Sequence, residues 1–232
     1  ERWRDNPAAI AAIEPALFDA LARKLSCPLW RLFGTRCCKL QTDITIVIAG
    51  LSETKDAVRR FYRQGFHHFK IKIGRDFDLD IQRVEAVHTL APKSVIYLDA
   101  NQGFSAAVTL KFLAALKRLR IRPALLEQPV PRADLEGLKK ISRSTDIPVC
   151  ADESVRSLAE AVAIIRAKAA NVISIKLMKF GLIEAIAVAK VAQAAGLMRD
   201  FHRIMHRPQF AGPPGDGNGN GTVESTQPST GS

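Results

Sequence analysis

The sequence of 232 residues contains no uninterrupted run of about 18 apolar residues, so it predicts no helix that crosses a membrane. It also lacks the G-x-G-x-x-G and G-x-x-x-x-G-K-[ST] patterns, which argues against the common nucleotide-binding loops. Its 4 cysteines include no C-x-x-C pair, so zinc and dithiol chemistry have no support. We predict buried, reduced thiols and a cytoplasmic location.

Aromatic residues are scarce, at 6% of the chain, although the net charge is +11. A strongly basic net charge is typical of proteins that bind nucleic acids or anionic surfaces. The basic residues are scattered, however, and no stacking aromatic residues are interleaved with them. We therefore predict neither a nucleic-acid nor a membrane partner. The composition, 47% hydrophobic and 25% charged, is typical of an ordinary globular protein.

Short apolar, β-branched runs alternate with stretches of helical spacing through the middle of the chain. The runs predict strands at Ile44–Ile48, Phe69–Ile73, Val95–Leu98, Ala124–Leu126, Ile147–Cys150 and Val172–Ile175. Ser105 and Asp134 stand where helix N-caps are expected, and Gly196 stands where a C-cap is expected. The unit repeats about every 25 residues. We predict an α/β fold, an incomplete (β/α) TIM-type barrel of about six units, rather than an open doubly wound sheet.

Ionisable residues follow five successive predicted strands, at the points where the apolar runs end. They are Lys70 with Lys72, then Asp99, Glu127, Asp152 and Lys176. Their spacing, again about 25 residues, matches the strand–helix repeat. We therefore expect these side chains to surround the carboxyl ends of the strands, where barrel enzymes carry out their chemistry.

The residue types at these positions predict a metal-assisted proton transfer. Three converging carboxylates repel one another unless a cation neutralises them, and oxygen ligands suit one Mg²⁺ ion. Asp99, Glu127 and Asp152 are the candidate ligands, called the carboxylate triad below. Lys72 and Lys176 flank the triad in strand order, so they should approach a bound substrate from opposite sides. A lysine beside a cation has a lowered pKa and can act as a base.

On these motifs the chain resembles the muconate-lactonizing subgroup of the enolase superfamily. The motifs are Lys-x-Lys at 70–72, Asp-Ala-Asn-Gln-Gly at 99–103, Glu-Gln-Pro at 127–129, Ala-Asp-Glu-Ser at 151–154, and Lys176. The resemblance implies that the carboxylate triad binds Mg²⁺ and that Lys72 and Lys176 are the catalytic lysines. It implies supporting roles for Lys70, Asn101 and Glu153, and substrate contacts from Thr42, Lys70 and Lys176.

Within that subgroup the chain is most similar to dipeptide epimerases of the L-Ala-D/L-Glu type. The similarity rests on Thr42-Asp-Ile-Thr45-Ile and on Ile175-Lys-Leu-Met-Lys179. It implies a 1,1-proton transfer at the carbon next to a carboxylate, in a dipeptide such as L-Ala-L-Glu. Four alternatives stay open: a cycloisomerase, an N-acylamino-acid racemase, an o-succinylbenzoate synthase and a non-catalytic basic binding fragment. The formation of a homo-oligomer by the parent protein also stays open.

The resemblance divides the chain into three parts. Residues 1–38 resemble the last helices of a capping domain, and residues 39–198 resemble a partial barrel. Residues 199–232 have no resemblance to the family, and we expect them to form a disordered tail. A Phe180-Gly181 pair replaces the expected glycine pair. A seventh strand should follow Met198, and we hypothesise a reading-frame shift near that residue. The chain as written is therefore expected to turn over weakly or not at all.

Overall fold

The computed structural model describes residues 6–34 and 42–197 of the chain. Six parallel strands form one sheet in which each strand pairs with the next along the chain. Their bounds are β1 Ile44–Ile46, β2 His68–Lys72, β3 Val95–Asp99, β4 Leu125–Glu127, β5 Val149–Ala151 and β6 Val172–Ile173. All six lie within one residue of predicted runs or inside them, and the predicted α/β class is confirmed.

One helix precedes the sheet and one follows every strand. The helices are α1 Pro7–Lys24, α2 Leu51–Arg63, α3 Phe77–Leu90, α4 Ala106–Arg118, α5 Leu135–Ser144, α6 Leu158–Ala167 and α7 Leu177–Ala194, with a 3₁₀ helix at Leu29–Leu32. The predicted caps Ser105 and Asp134 each accept a hydrogen bond from a backbone amide of the first turn. Gly196 follows the C-cap residue Ala195 with φ +76°, a conformation that favours glycine.

Successive strand residues face two separate apolar layers, because side chains alternate along a strand. Phe69, Ile71 and Leu98 are fully buried in the larger layer, against the helices. The opposite face carries a smaller cluster of Tyr97, Leu125, Cys150 and Val172. The continuation of this inner face, beyond the last apolar residue of each strand, consists of Lys72, Asp99, Glu127 and Asp152. The fold therefore places its charges where the inner face ends.

Two sequence predictions concern cysteines and membranes. Cys27 and Cys150 are free thiols, and Cys150 is buried as predicted, but Cys27 is only half-buried. Cys37, Cys38 and the tail from 198 onward lie outside the described residues. The hypothesised frame shift lies there too. Across residues 6–34 and 42–197, no helix is both long and apolar enough to span a membrane.

Helix α1 packs against α7, at a break in α7 where Gly181 has φ 71° and ψ −174°. The Glu14 carboxylate of α1 accepts hydrogen bonds from the amides of Leu182 (2.6 Å) and Ile183 (3.1 Å). These amides open the second part of α7, so Glu14 satisfies donors that a helix start leaves unpaired. The assignment of residues 1–38 to a capping domain stays a prediction.

Replacing Gly181 by alanine is expected to lower the free energy of unfolding by about 2–5 kcal/mol, from backbone strain and overpacking together. The added Cβ would lie 2.6 Å from both Glu14 Oε2 and Ile10 Cγ2. Gly196 is the matched control, because its φ is +76° but no atom lies within 4 Å of an added Cβ. Urea denaturation should give about 1–2 kcal/mol for Gly196→Ala. Equal losses in the two variants would contradict the close packing of α1 against Gly181.

Candidate active site

The strand register aligns the charged residues of the inner face. Lys72 pairs with Asp99 across β2 and β3, and Asp99 pairs with Glu127 across β3 and β4. Glu127 pairs with Cys150 of β5, so the next inward residue, Asp152, lies just beyond it. The three carboxylates of the triad thus lie side by side at the carboxyl ends of β3, β4 and β5, as the sequence spacing predicts.

Lysine ammonium groups bridge the members of the triad. Lys70 Nζ lies 2.7 Å from Asp99 Oδ2 and 2.7 Å from Glu127 Oε2, and its side chain is buried. Lys176 Nζ lies 2.5 Å from Asp152 Oδ2 and 3.7 Å from Glu127 Oε1. Each pair of neighbouring carboxylates therefore shares one positive charge.

The two predicted catalytic lysines lie at opposite sides of the triad. Lys72 Nζ donates to Asp99 Oδ2 at 2.7 Å and to Asn101 Oδ1 at 2.5 Å, on the β2–β3 side. Lys176 follows β6 and contacts Asp152, on the far side. The arrangement leaves the central member, Glu127, between the two lysines. Two ammonium groups separated in this way can serve opposite faces of one bound molecule.

The two predicted supporting residues Asn101 and Glu153 also lie at this end of the sheet. Asn101 Nδ2 donates to Glu153 Oε1 at 3.1 Å, and the backbone amide of Asn101 donates to Asp99 Oδ1 at 3.1 Å. Asn101 adopts φ 40°, in the left-handed region that is strained for most residues. The structure brings both residues to the triad, and their roles stay predictions.

Thr42 is not brought to the triad. It precedes β1 by two residues, at the amino ends of the strands, and its hydroxyl donates to the Asp43 carbonyl at 3.3 Å. The triad lies at the carboxyl ends, so the length of β1 separates the two. Thr45 of the same motif pairs in register with Lys70, on the inner face. The predicted substrate contact from Thr42 has no support in this placement.

Burial and mutual repulsion set the ionisation of the triad. Burial raises the pKa of Glu127 to about 7, and repulsion from Asp99 and Asp152 adds to the effect. Burial alone would also raise the pKa of Asp99 and of Asp152, but the attraction of the lysines in contact with them lowers both. The outer two carboxylates are thus held ionised, and the central one is the easiest to protonate.

The lysines respond to the same charges. Burial disfavours the ammonium form of Lys176, but attraction from Asp152 and Glu127 outweighs it and raises its pKa above the ordinary value. The pKa of Lys70 is also raised, because attraction from Glu127 and Asp99 outweighs the effect of burial. The lowered lysine pKa that the sequence predicts for a base is therefore not found at Lys176. A divalent cation held by those carboxylates would remove the cause of the rise.

The triad fits a hard divalent cation by its chemistry. Glu127 Oε1 is buried and accepts no hydrogen bond, because the Lys176 ammonium lies 3.7 Å away, beyond hydrogen-bond distance. A buried carboxylate oxygen without a hydrogen bond is costly. Across the described ranges no three acidic, histidine or cysteine side chains form a ready-made ligand set, and here ammonium groups bridge the carboxylates. Asp99, Glu127 and Asp152 are the residues that would hold Mg²⁺, at oxygens that the lysines now neutralise.

Three polar residues that support the site were not predicted as site residues. Gln128 is fully buried, and its Oε1 accepts from the amides of Asp152 (2.9 Å) and Ser154 (3.1 Å). Arg83 and Lys179 bind backbone carbonyls at the ends of neighbouring strands. The sequence signal for Gln128 and Lys179 is their place inside the motifs at 127–129 and 175–179. No comparable signal marks Arg83.

Comparisons with known proteins agree with this geometry. Residues 53–211 match the family described as "Enolase C-terminal domain-like", a range that runs past the predicted boundary at residue 198. The hydrophobic dipeptide epimerase of Citrifermentans bemidjiense is 46% identical over 200 residues, which are 83% of this chain and 54% of that protein. The chain thus spans about half the length of such relatives.

Two solved structures show the same fold. The dipeptide epimerase from Enterococcus faecalis complexed with Mg and the dipeptide L-Leu-L-Tyr is 35% identical, with a TM-score of 0.78 over 82% of this chain and 54% of that one. The substrate-liganded L-Ala-D/L-Glu epimerase from Bacillus subtilis is 34% identical, with a TM-score of 0.79 over 82% and 54%. The predicted partial TIM-type barrel and the resemblance are confirmed, and the chain belongs to the enolase C-terminal domain-like family.

Proposed function

We propose that this chain carries the catalytic barrel of a Mg²⁺-dependent dipeptide epimerase. The observation that supports the proposal is the placement of Lys72 and Lys176 on opposite sides of the carboxylate triad. Inversion of a carbon centre requires one group to take a proton from one face and another to deliver a proton to the other face. Two lysines with carboxylates between them meet that requirement.

The residues divide the work as follows. Asp99, Glu127 and Asp152 would hold the metal ion, which supplies positive charge that stabilises the anion formed when the α-proton leaves. Lys72 and Lys176 exchange protons with the α-carbon from opposite faces. Lys70 bridges Asp99 and Glu127 and holds these two ligands in position. Asn101 accepts a hydrogen bond from Lys72 and so orients its ammonium group.

The proposed substrate is a dipeptide whose C-terminal residue is inverted. The sequence motifs resemble those of L-Ala-D/L-Glu epimerases and favour L-Ala-L-Glu as the substrate. The C. bemidjiense relative is named a hydrophobic dipeptide epimerase, which favours an apolar dipeptide instead. Other reactions of the subgroup remain alternatives: cycloisomerisation, N-acylamino-acid racemisation and o-succinylbenzoate synthesis. The cytoplasmic location, the lack of a nucleic-acid partner and the oligomeric state of the parent protein stay predictions.

Incubation of the chain in D₂O with Mg²⁺ tests the proposal. Because the chain as written is expected to turn over weakly, a long incubation at high protein concentration is required. We expect the α-proton signal of the C-terminal residue to disappear slowly from the NMR spectrum of L-Ala-L-Glu or L-Leu-L-Tyr, while the L,D diastereomer accumulates. Chelation of the metal should stop both changes, because the triad would then lose its cation. Exchange into an N-succinyl amino acid, without exchange into either dipeptide, would overturn the substrate assignment.

A further inference from the structure

We propose that Lys179 is a positioning residue that fixes the Asp152 carboxylate in the orientation required for divalent-cation binding. The inference rests on the proposed function and names a residue outside the set that the sequence motifs assign to it. It concerns a side chain that lies one helical turn from Lys176 but makes different contacts. Its evidence is the set of hydrogen bonds at Nζ.

Lys179 Nζ has an acceptor for each of its three protons. It donates to the Ser174 carbonyl at 2.7 Å, to the Asp152 carbonyl at 2.8 Å and to Asp152 Oδ1 at 2.9 Å. An ammonium group has three donors, so this one is saturated. The group is therefore held in one place by both the backbone and the side chain of Asp152.

The contacts of Lys179 leave one oxygen of Asp152 for other partners. With Oδ1 bound to Lys179, the second oxygen, Oδ2, faces Lys176 at 2.5 Å. The Ser174 carbonyl belongs to the segment after β6, and the last backbone bond between the strands joins Ser174 N to Ala151 O at 2.9 Å. Lys179 therefore connects the ends of β5 and β6 beyond that bond. Rotation of the Asp152 carboxylate would break this connection.

The two lysines that contact Asp152 differ in the exposed fraction of their side chains. The Lys176 side chain is 35% exposed, so it can reach a molecule bound in the open mouth of the barrel. The Lys179 side chain is 14% exposed, and its Nζ lies 5.1 Å from the centre of the Phe180 ring. Lys176 is thus placed for chemistry, whereas Lys179 is placed to hold the carboxylate. Outer partners that orient metal ligands typically contribute 10- to 100-fold to affinity.

Mn²⁺ binding to the 232-residue chain, followed by electron paramagnetic resonance, tests the inference. Lys179→Met should weaken Mn²⁺ binding by about 10- to 100-fold, because Asp152 loses the partner that orients it. Lys190→Met is the matched control, since Lys190 is an exposed lysine of the same helix. It should bind Mn²⁺ as the unaltered chain does. Where Lys179→Met does not fold, Lys179→Gln takes its place and should also weaken Mn²⁺ binding, because its shorter side chain offers two donor hydrogens for three acceptors.

Restoration of the ammonium group separates positioning from general damage. Alkylation of Lys179→Cys with 2-bromoethylamine gives a lysine-like side chain and should recover most of the Mn²⁺ affinity. The unaltered chain treated in parallel reports the effect of alkylating its own thiols. Unchanged Mn²⁺ affinity in folded Lys179→Met, or no recovery on alkylation, would overturn the inference. Failure of the unaltered chain to bind Mn²⁺ would instead overturn the metal site of the proposed function.

Discussion

Lys72→Met and Lys176→Met are each expected to lose epimerisation by about 10²- to 10⁴-fold, the usual contribution of one acid–base group. Each variant should nevertheless exchange the α-proton of one diastereomer with D₂O. The reason is that the remaining lysine still reaches one face of the α-carbon. The diastereomer that retains exchange should be opposite in the two variants.

Separate incubations of the L,L and L,D dipeptides in D₂O, followed by NMR, measure this. Lys190→Met again serves as the control and should epimerise like the unaltered chain, because its side chain is exposed on α7. If both lysine variants retained exchange of the same diastereomer, the two groups would not serve opposite faces. That outcome would exclude the two-base arrangement inferred from the contacts with Asp99 and Asp152.

Arg83→Met is expected to lower the free energy of unfolding by about 3–5 kcal/mol, the range for breaking a buried ion pair at one partner. Arg83 is fully buried and donates to the carbonyls of Lys72 (2.7 Å) and Val47 (2.5 Å). It also donates to Asp80 Oδ1 at 2.9 Å and to Thr54 Oγ1 at 3.2 Å. The variant leaves four acceptors without this donor in the interior.

An exposed ion pair provides the control for Arg83. Arg59 and Asp56 lie 3.1 Å apart, with side chains 53% and 72% exposed. Arg59→Met should therefore cost less than about 1 kcal/mol. Urea denaturation of both variants checks the contrast. Similar small losses in the two would show that Arg83 does not join the ends of β1 and β2.

The order of strands and helices could be predicted because buried parallel strands leave a clear sequence pattern. The run around Phe69–Ile73 became β2, and the run at Val172–Ile175 became the shorter β6. The convergence of the triad could also be predicted, because a regular repeat brings equivalent strand ends together. Both predictions depend on local patterns and on their spacing, which a single sequence contains.

The supporting contacts could not be predicted in the same way. Arg83 lies between the apolar residues Ile81 and Val84 of α3, where a charged residue usually faces solvent. Two of its partners are the backbone carbonyls of Val47, just after β1, and of Lys72 on β2, and no residue type marks a carbonyl. The substrate contact of Thr42 stays a prediction, although Thr42 precedes β1 and therefore lies at the opposite end of the strand from the triad.

The lysines around the triad also have a consequence for the cohesion of the sheet. Lys70 of β2 contacts Glu127 of β4, and Lys176, which follows β6, contacts Glu127 from the other side. Each contact passes over one strand, because β3 lies between β2 and β4 and β5 lies between β4 and β6. The two ammonium groups therefore tie together strands that are not neighbours in the sheet.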